Sequence, residues 1–194
     1  MNRLKIDDTP LDFAEAIIED IKSSKEDGVL KCVQCGMCTS TCPAARYSHY
    51  NPRDMIESVL EGDETILEDE DLWNCFYCYT CHSICPVGNS ACEVNQIIKQ
   101  FAISKGIAYD KLIPFLGFGD NYLTMAIGGI PSNFFDEIIE DVGKEWWYLR
   151  TNLDKIRDEL DLEPVIPPQD VIDEVNTLLV NCGFKDRIDK IRGE

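Results

Sequence analysis

The sequence predicts an all-α protein, and three observations carry that prediction. Apolar residues recur at helical spacing between cap and breaker signals, no run alternates apolar and polar residues over the length of a strand, and a unit of helix, cysteine loop and helix occurs twice.

The first helix is predicted from Thr9 and Pro10, a hydroxyl cap followed by proline at the first helical position. Leu11, Ala14, Ile17, Ile18 and Ile21 then share one face, and Gly28 marks the expected end. A cysteine-dense loop follows over 32–43. Asn51 and Pro52 repeat the cap-plus-proline signal ahead of Met55, Ile56, Val59 and Leu60, and Gly62 closes that helix. A third, short helix is predicted over 64–69. The second cysteine loop spans 75–86, and beyond it Val94, Ile97, Ile98, Phe101 and Ala102 define an amphipathic helix that stops at Gly106. The two loops begin 43 residues apart, at Cys32 and Cys75.

From about Asp110 the chain turns apolar and aromatic, with Phe115, Leu116, Phe118, Tyr122, Leu123 and Met125 before Gly128 and Gly129, and Pro131 then breaks the segment. Further helices are predicted over 134–141, 146–160 and 171–179, the last two separated by Pro164, Pro167 and Pro168.

A chain of 194 residues fits one domain, or one domain with an appendage. Its 18 Lys and Arg stand against 36 Asp and Glu, a formal net charge of -18. That balance excludes nucleic acid as a partner, because the basic footprint that phosphate binding needs is missing. The acidic excess reads as a solvated surface, or as a field that steers the chain toward a basic docking face. No stretch approaches the ~20 apolar residues of a membrane span, so no direct membrane insertion is expected. The charged start, MNRLKIDDTP, has no signal-peptide core, which predicts a cytoplasmic protein. Ten cysteines in a small secreted chain would suggest disulfides; in a reducing compartment they stay free for metal.

Cys32, Cys35, Cys38 and Cys42 with Pro43 spell CxxCxxCxxxCP, and Cys75, Cys78, Cys81 and Cys85 with Pro86 spell it again. Three closely spaced thiolates on a tight loop reach three irons of a [4Fe-4S] cube, and the fourth must come from elsewhere. In two-cluster ferredoxins the last cysteine of each run serves the other run's cluster. Applied here, Cys32, Cys35, Cys38 and Cys85 hold one cluster, and Cys75, Cys78, Cys81 and Cys42 hold the second. Zinc is the nearest alternative, but its structural sites favour CxxC pairs or mixed Cys and His, without a third cysteine at the same step.

Gly36 lets backbone amides approach sulfide in the first loop, whereas the second carries Phe76, Tyr77 and Tyr79, which either shield a cluster from water or pack in the core. Unequal cluster potentials are therefore expected. Cys92 and Cys182 read as small buried apolar residues, and His49 and His82 as surface or hydrogen-bonding histidines rather than ligands. Arg46 and Arg53 lie near the cysteine loops, where they either offset thiolate charge or form surface ion pairs. Trp73, Trp146 and Trp147 read as core or interface anchors.

The doubled motif, with some forty residues of helical sequence between its halves, resembles the α-helical ferredoxin domain of succinate dehydrogenase iron-sulfur proteins and their relatives. Within that group the runs KCVQCGMCTSTCPAARY, NPRDMIESVLEG and NCFYCYTCHSICPV, and the total length, are similar to the C subunits of heterodisulfide reductase. The specific motif evidence lies in 32–86. The resemblance implies an α-helical ferredoxin domain over 1–108 with two [4Fe-4S] clusters on the eight cysteines, and a helical C-terminal extension over 109–194 that contacts other subunits. It further implies an electron-transfer subunit with no catalytic residue of its own. Electrons would pass from a flavin-bearing, iron-sulfur A-type subunit, itself fed by a hydrogenase or other donor module, to a catalytic B-type subunit that reduces the disulfide of coenzyme M and coenzyme B. No CysCysGly segment of the B type and no plant-type CxxxxCxxC run occurs here.

Two other functions fit the residues less well. A freely diffusing or quinone-linked two-cluster carrier needs less apolar surface than the region after Asp110 supplies. A dehydratase using a cluster as Lewis acid needs an iron without a cysteine ligand, whereas eight motif cysteines fill eight corners. No GxGxxG or GxxxxGKS/T fingerprint supplies a nucleotide site.

Overall fold

In the computed structural model the described residues are 10–20 and 28–193, and among them every regular element is helical. The chain divides into two compact units that meet in sequence between Ala108 and Tyr109.

In the first unit α1 (Pro10–Glu19), α3 (Pro52–Glu61) and α5 (Ala91–Ser104) pack together. Phe13, Ala14 and Ile17 of α1 meet Met55, Ile56 and Val59 of α3 and Val94, Ile97, Ile98 and Ala102 of α5 in one core. Two short helices, α2 (Met37–Ser40) and α4 (Thr80–Ile84), lie inside the cysteine loops and contact each other. The Asn51 side chain accepts from the backbone N–H groups of Arg53 and Asp54 at 3.1 and 3.4 Å, so the predicted cap of α3 forms. Gly62 ends the helix in the left-handed conformation, at φ 71°.

Several predicted boundaries differ. The predicted cap Thr9 and Ile21 lie outside the described residues. Helix α1 spans Pro10–Glu19, and the stretch 21–27 that leads to its expected end near Gly28 lies outside the described residues. Gly28 has another role: a Cβ there would sit 3.1 Å from the Gly88 carbonyl oxygen and 3.2 Å from Asn89 Cα, so its bare backbone lets these two segments touch. Residues 64–69 form a 3₁₀ turn, Glu64–Glu68, and a second, Glu70–Asn74, follows. Asp63 and Asp69 each cap the turn that begins after them, and so close a spacing leaves no room for a full α-helix.

The second unit holds α6 (Leu116–Met125), α7 (Phe135–Val142), α8 (Lys144–Thr151), α9 (Leu153–Glu159), α10 (Gln169–Asn181) and α11 (Phe184–Arg192). α6, α10 and α11 pack on one another, and α7 lies against α8. The helix predicted over 146–160 is broken at Asn152, whose side chain turns back onto the Tyr148 carbonyl at 2.9 Å and competes with the backbone ladder. Phe135 stacks edge-on against Trp147 at 4.9 Å and Trp146 at 6.0 Å, so both tryptophans anchor this unit. Among the described residues no helix is long and apolar enough to cross a membrane.

Core truncation in the first unit should outweigh loss of a cap. Ile97 is fully buried, so Ile97→Ala is expected to cost ~2–5 kcal/mol, and Asn51→Ala ~1 kcal/mol. Denaturant titration of the two variants would show equal losses only if α3 depended on its cap far more than its packing implies.

Candidate metal centres

The two cysteine loops repeat one backbone conformation. Cys32 N–H donates to the Val29 carbonyl and Cys75 N–H to that of Leu72; Ser40 to Gly36 and Ser83 to Tyr79; Cys42 to Thr39 and Cys85 to His82. Left-handed residues also recur, at Gln34 (φ 53°) and Gly36 (φ 77°) in the first loop and at Tyr77 (φ 52°) and Tyr79 (φ 58°) in the second. They fall two and four residues after the first cysteine of each run. Glycine adopts this conformation freely, but a tyrosine there carries on the order of 1–3 kcal/mol of strain, which persists where the surroundings demand that backbone path.

Neighbouring elements clamp the first loop in place. The Thr39 hydroxyl donates to the Asn51 carboxamide oxygen at 2.6 Å and accepts from Arg53 N–H at 3.2 Å, tying the loop to the cap of α3. The second loop hangs on Asn95 of α5, which is fully buried. Its amide donates to the Leu72 carbonyl at 3.1 Å, and its oxygen accepts from the Tyr77 hydroxyl at 3.3 Å.

These supports bring the cysteines around two hollows. Cys32, Cys35, Cys38, Cys81 and Cys85 line the first, with Gly36 and Arg53. Cys42, Cys75, Cys78, Cys81 and Cys92 line the second, with Tyr50, Phe76 and Tyr79. All eight motif cysteines are therefore present, each hollow draws on both runs, and Cys81 borders both. Every cysteine is free of disulfide.

The donor set fits a sulfur-ligated cluster. No carboxylate or imidazole lines either hollow. Among the described residues no three metal-ligating side chains converge closely enough for a single ion, whereas zinc at ~2.3 Å from each sulfur would require such a cluster of donors. Both polar atoms of the Gln34 side chain, which lines the first hollow, are buried without a hydrogen-bond partner.

Electrostatics around the sulfurs is uneven. Burial pushes the Cys38 and Cys75 thiols up, while hydrogen bonding to Thr80 lowers Cys78. Cys81 and Cys92 share a hydrogen bond that holds Cys81 protonated and lowers Cys92. Coordination by iron overrides such sharing, since a metal-bound thiol is deprotonated outright. Burial also raises the Tyr50 phenol far above its ordinary value, with the Cys75 sulfur beside it as the next cause.

Residues outside the motifs divide sharply. His49 and His82 are exposed, as expected of non-ligands, and Arg46 is exposed too. Arg53 borders the first hollow but pairs with Asp54 at 3.1 Å. Cys92 is buried as predicted; Cys182 is not, because it closes the last turn of α10 and faces solvent. Phe76 and Tyr79 are exposed, which rules out core packing for them, whereas Tyr77 is partly buried and packs on Lys99 and Asn95. Sequence reasoning misses Tyr50, Asn89, whose N–H donates to Cys85 Sγ at 3.3 Å, and Lys99. Lys99 is 7% exposed, and its Nζ lies 4.8 Å from the Trp73 ring centroid and 4.7 Å from that of Tyr77.

Comparison with known proteins agrees with this geometry. Residues 28–89 match the 4Fe-4S dicluster domain family. The C subunit of the ferredoxin:CoB-CoM heterodisulfide reductase of Methanosarcina acetivorans is 36% identical over 90% of this chain and 70% of its own length. A second protein of that organism, the C subunit of its ferredoxin/F(420)H(2)-dependent CoB-CoM heterodisulfide reductase, is 28% identical over 92% of this chain and 99% of its own length. The C2 subunit of the H(2)/formate:CoB-CoM heterodisulfide,ferredoxin reductase of Methanococcus maripaludis is 36% identical over 53% of this chain, and the match spans 58% of that protein. With two cysteine-lined hollows on an all-α scaffold and relatedness of this extent, the chain carries two [4Fe-4S] clusters and belongs to the family of heterodisulfide reductase C subunits.

Proposed function

We propose that this chain relays single electrons from a flavin-bearing A-type subunit to a catalytic B-type subunit, which reduces the mixed disulfide of coenzyme M and coenzyme B. In this reading Cys32, Cys35, Cys38 and Cys85 ligate one cluster, and Cys75, Cys78, Cys81 and Cys42 the other. One observation carries it: each hollow is lined by the three leading cysteines of one run and the closing cysteine of the other, with Cys81 also bordering the first and Cys92 the second. Bound there, the two clusters supply one-electron redox couples.

The protein's own part is to hold and shield. The α2–α4 contact and the Asn51 and Asn95 clamps keep the two loops face to face, and the Phe76 and Tyr79 rings border the second hollow. Four cysteines for each cube leave no iron open to a substrate, so the residues position and insulate rather than catalyse. A cytoplasmic location accords with ten free thiols, which need a reducing compartment.

The second unit suits permanent contact with other chains. Ile172 and Ile188 are its only large side chains among the buried hydrophobic residues described, whereas Tyr148, Leu149, Leu160, Leu162 and Leu178 are each about half exposed or more. Apolar surface on that scale marks an interface, here with the A-type or B-type subunit, a hydrogenase or other donor acting through the former.

Crossed ligation has a direct test. In anaerobically purified full-length protein, Cys38→Ala and Cys85→Ala should convert or abolish the same paramagnetic centre, and Cys78→Ala and Cys42→Ala the other. A Cys85→Ala that instead altered the centre affected by Cys78→Ala would refute the crossing.

Contact through the second unit is tested separately. Leu149→Asp combined with Leu178→Asp should leave iron content unchanged and weaken co-purification of the partner chains at least tenfold. Undiminished recovery of a flavoprotein and a CysCysGly protein would remove that face from the interface.

A further inference from the structure

We propose that the Lys99 ammonium, fixed between the Trp73 and Tyr77 rings, is a built-in positive charge that favours the reduced state of the cluster bound in the Cys75 loop, and so raises that cluster's potential. The proposal rests on the cluster reading above and extends it to a residue outside the cysteine motifs.

The geometry is specific to one cysteine. The two rings that hold Lys99 Nζ, at 4.8 and 4.7 Å, belong to the residues two before and two after Cys75. Lys99 itself is the only charged residue among the buried polar groups described, at 7% exposure. Burying an ammonium in this way is costly unless negative charge lies nearby. No carboxylate among the described residues pairs with it, and the aromatic faces offset only part of the cost. Burial lowers the Lys99 ammonium's pKa, and the Cys75 sulfur, on the loop segment between the two rings that hold Lys99, opposes that shift.

A cube ligated by four thiolates is negatively charged, and reduction adds one further electron, delivered by the donor subunit, with no bond broken and no proton exchanged at Lys99. A nearby fixed cation therefore stabilises the reduced form more than the oxidised one, and the low dielectric of a buried site keeps the effect from being screened. Among the described residues the first hollow has no equivalent. Its cation, Arg53, is 44% exposed and neutralised by Asp54, so water and the carboxylate weaken its field. Tyr77 is held over Lys99 at the expense of a left-handed backbone and by a hydrogen bond to Asn95, which fixes the slot.

The test is a potentiometric titration, followed by electron paramagnetic resonance, of full-length wild type, Lys99→Met and Lys99→Arg prepared anaerobically. Lys99→Met should lower one midpoint, making that centre about tenfold harder to reduce at a fixed potential, or about 59 mV for one electron. The centre that moves should be the one altered by Cys78→Ala, the other should stay, and Lys99→Arg should restore the wild-type value. Unmoved midpoints, or equal shifts of both, would overturn the proposal. If Lys99→Met fails to retain iron, Lys99→Gln is read in its place. Iron lost from both neutral variants but kept by Lys99→Arg supports a need for the charge; iron lost from all three marks a packing role and overturns it. A wild-type chain lacking about eight irons would instead sink the two-cluster reading itself, so the two failures are distinguishable.

Discussion

The first unit is organised by one requirement: two cysteine loops, 43 residues apart in sequence, must be held facing each other, because each sulfur-lined hollow takes side chains from both. A loop on its own could not keep that arrangement. Its left-handed residues other than Gly36 are strained, and its short helix, α2 or α4, spans little more than a turn. The strain is held by the loop ends, which are fixed by larger elements. Asn51 seizes Thr39 at the start of α3, Asn95 seizes Leu72 and Tyr77 from the middle of α5, and the apolar core keeps α3 against α5. Asn95 is costly in the core unless each of its polar atoms is satisfied. Both are, and the partners it uses lie on either side of Cys75.

What the sequence makes legible follows the range of the interaction. The cap, proline and glycine of α3 are local signals, and all three act as read. The eight motif cysteines are equally local, since their spacing alone places them on tight loops. Long-range effects are hidden. α6 contains Gly117 and Gly119, which argue against a helix, yet a Cβ on Gly119 would fall 2.3 Å from Ile188 Cδ1, so the glycine is there to admit α11. α11 itself escapes prediction although Phe184, Ile188 and Ile191 keep helical spacing after Gly183, because its remaining residues are mostly charged. Gly28 reads as a helix end, but its role depends on Gly88 and Asn89, some sixty residues away in sequence.

The same distinction applies to the metal centres. Tyr50, Asn89 and Lys99 carry no spacing signal that points to a cluster; Asn89 reaches Cys85 locally, from four residues on, whereas Tyr50 and Lys99 come near the second loop only through folding. Lys99 is the clearest case. On α5 it lies between Ile98 and Phe101 and carries no sequence signal of its own, yet it is buried because Trp73 and Tyr77 fold over it. The exposed aromatics of the second loop show the converse. Their composition is compatible with a core, but only Tyr77 turns inward, onto Asn95 and Lys99, while Phe76 is 63% and Tyr79 44% exposed.

The two units solve opposite problems. The first has a continuous core drawn from three helices and three 3₁₀ turns, and it can therefore tolerate strained loops at its surface. The second fastens its helices through side chains that remain partly in water: Arg192 on Asp120 at 2.7 Å, the Asn176 amide on the Leu123 carbonyl at 3.1 Å, and the clustered rings of Phe115, Phe118 and Phe134. Exposed ion pairs add at most ~1 kcal/mol each, too little to substitute for a buried core, so the apolar faces left in water are the larger unused source of stabilisation. A net charge of -18 works against covering them by self-association, because like chains repel. Covering them with a different chain that is less acidic avoids that repulsion, and this asymmetry favours assembly into a mixed complex over a homo-oligomer.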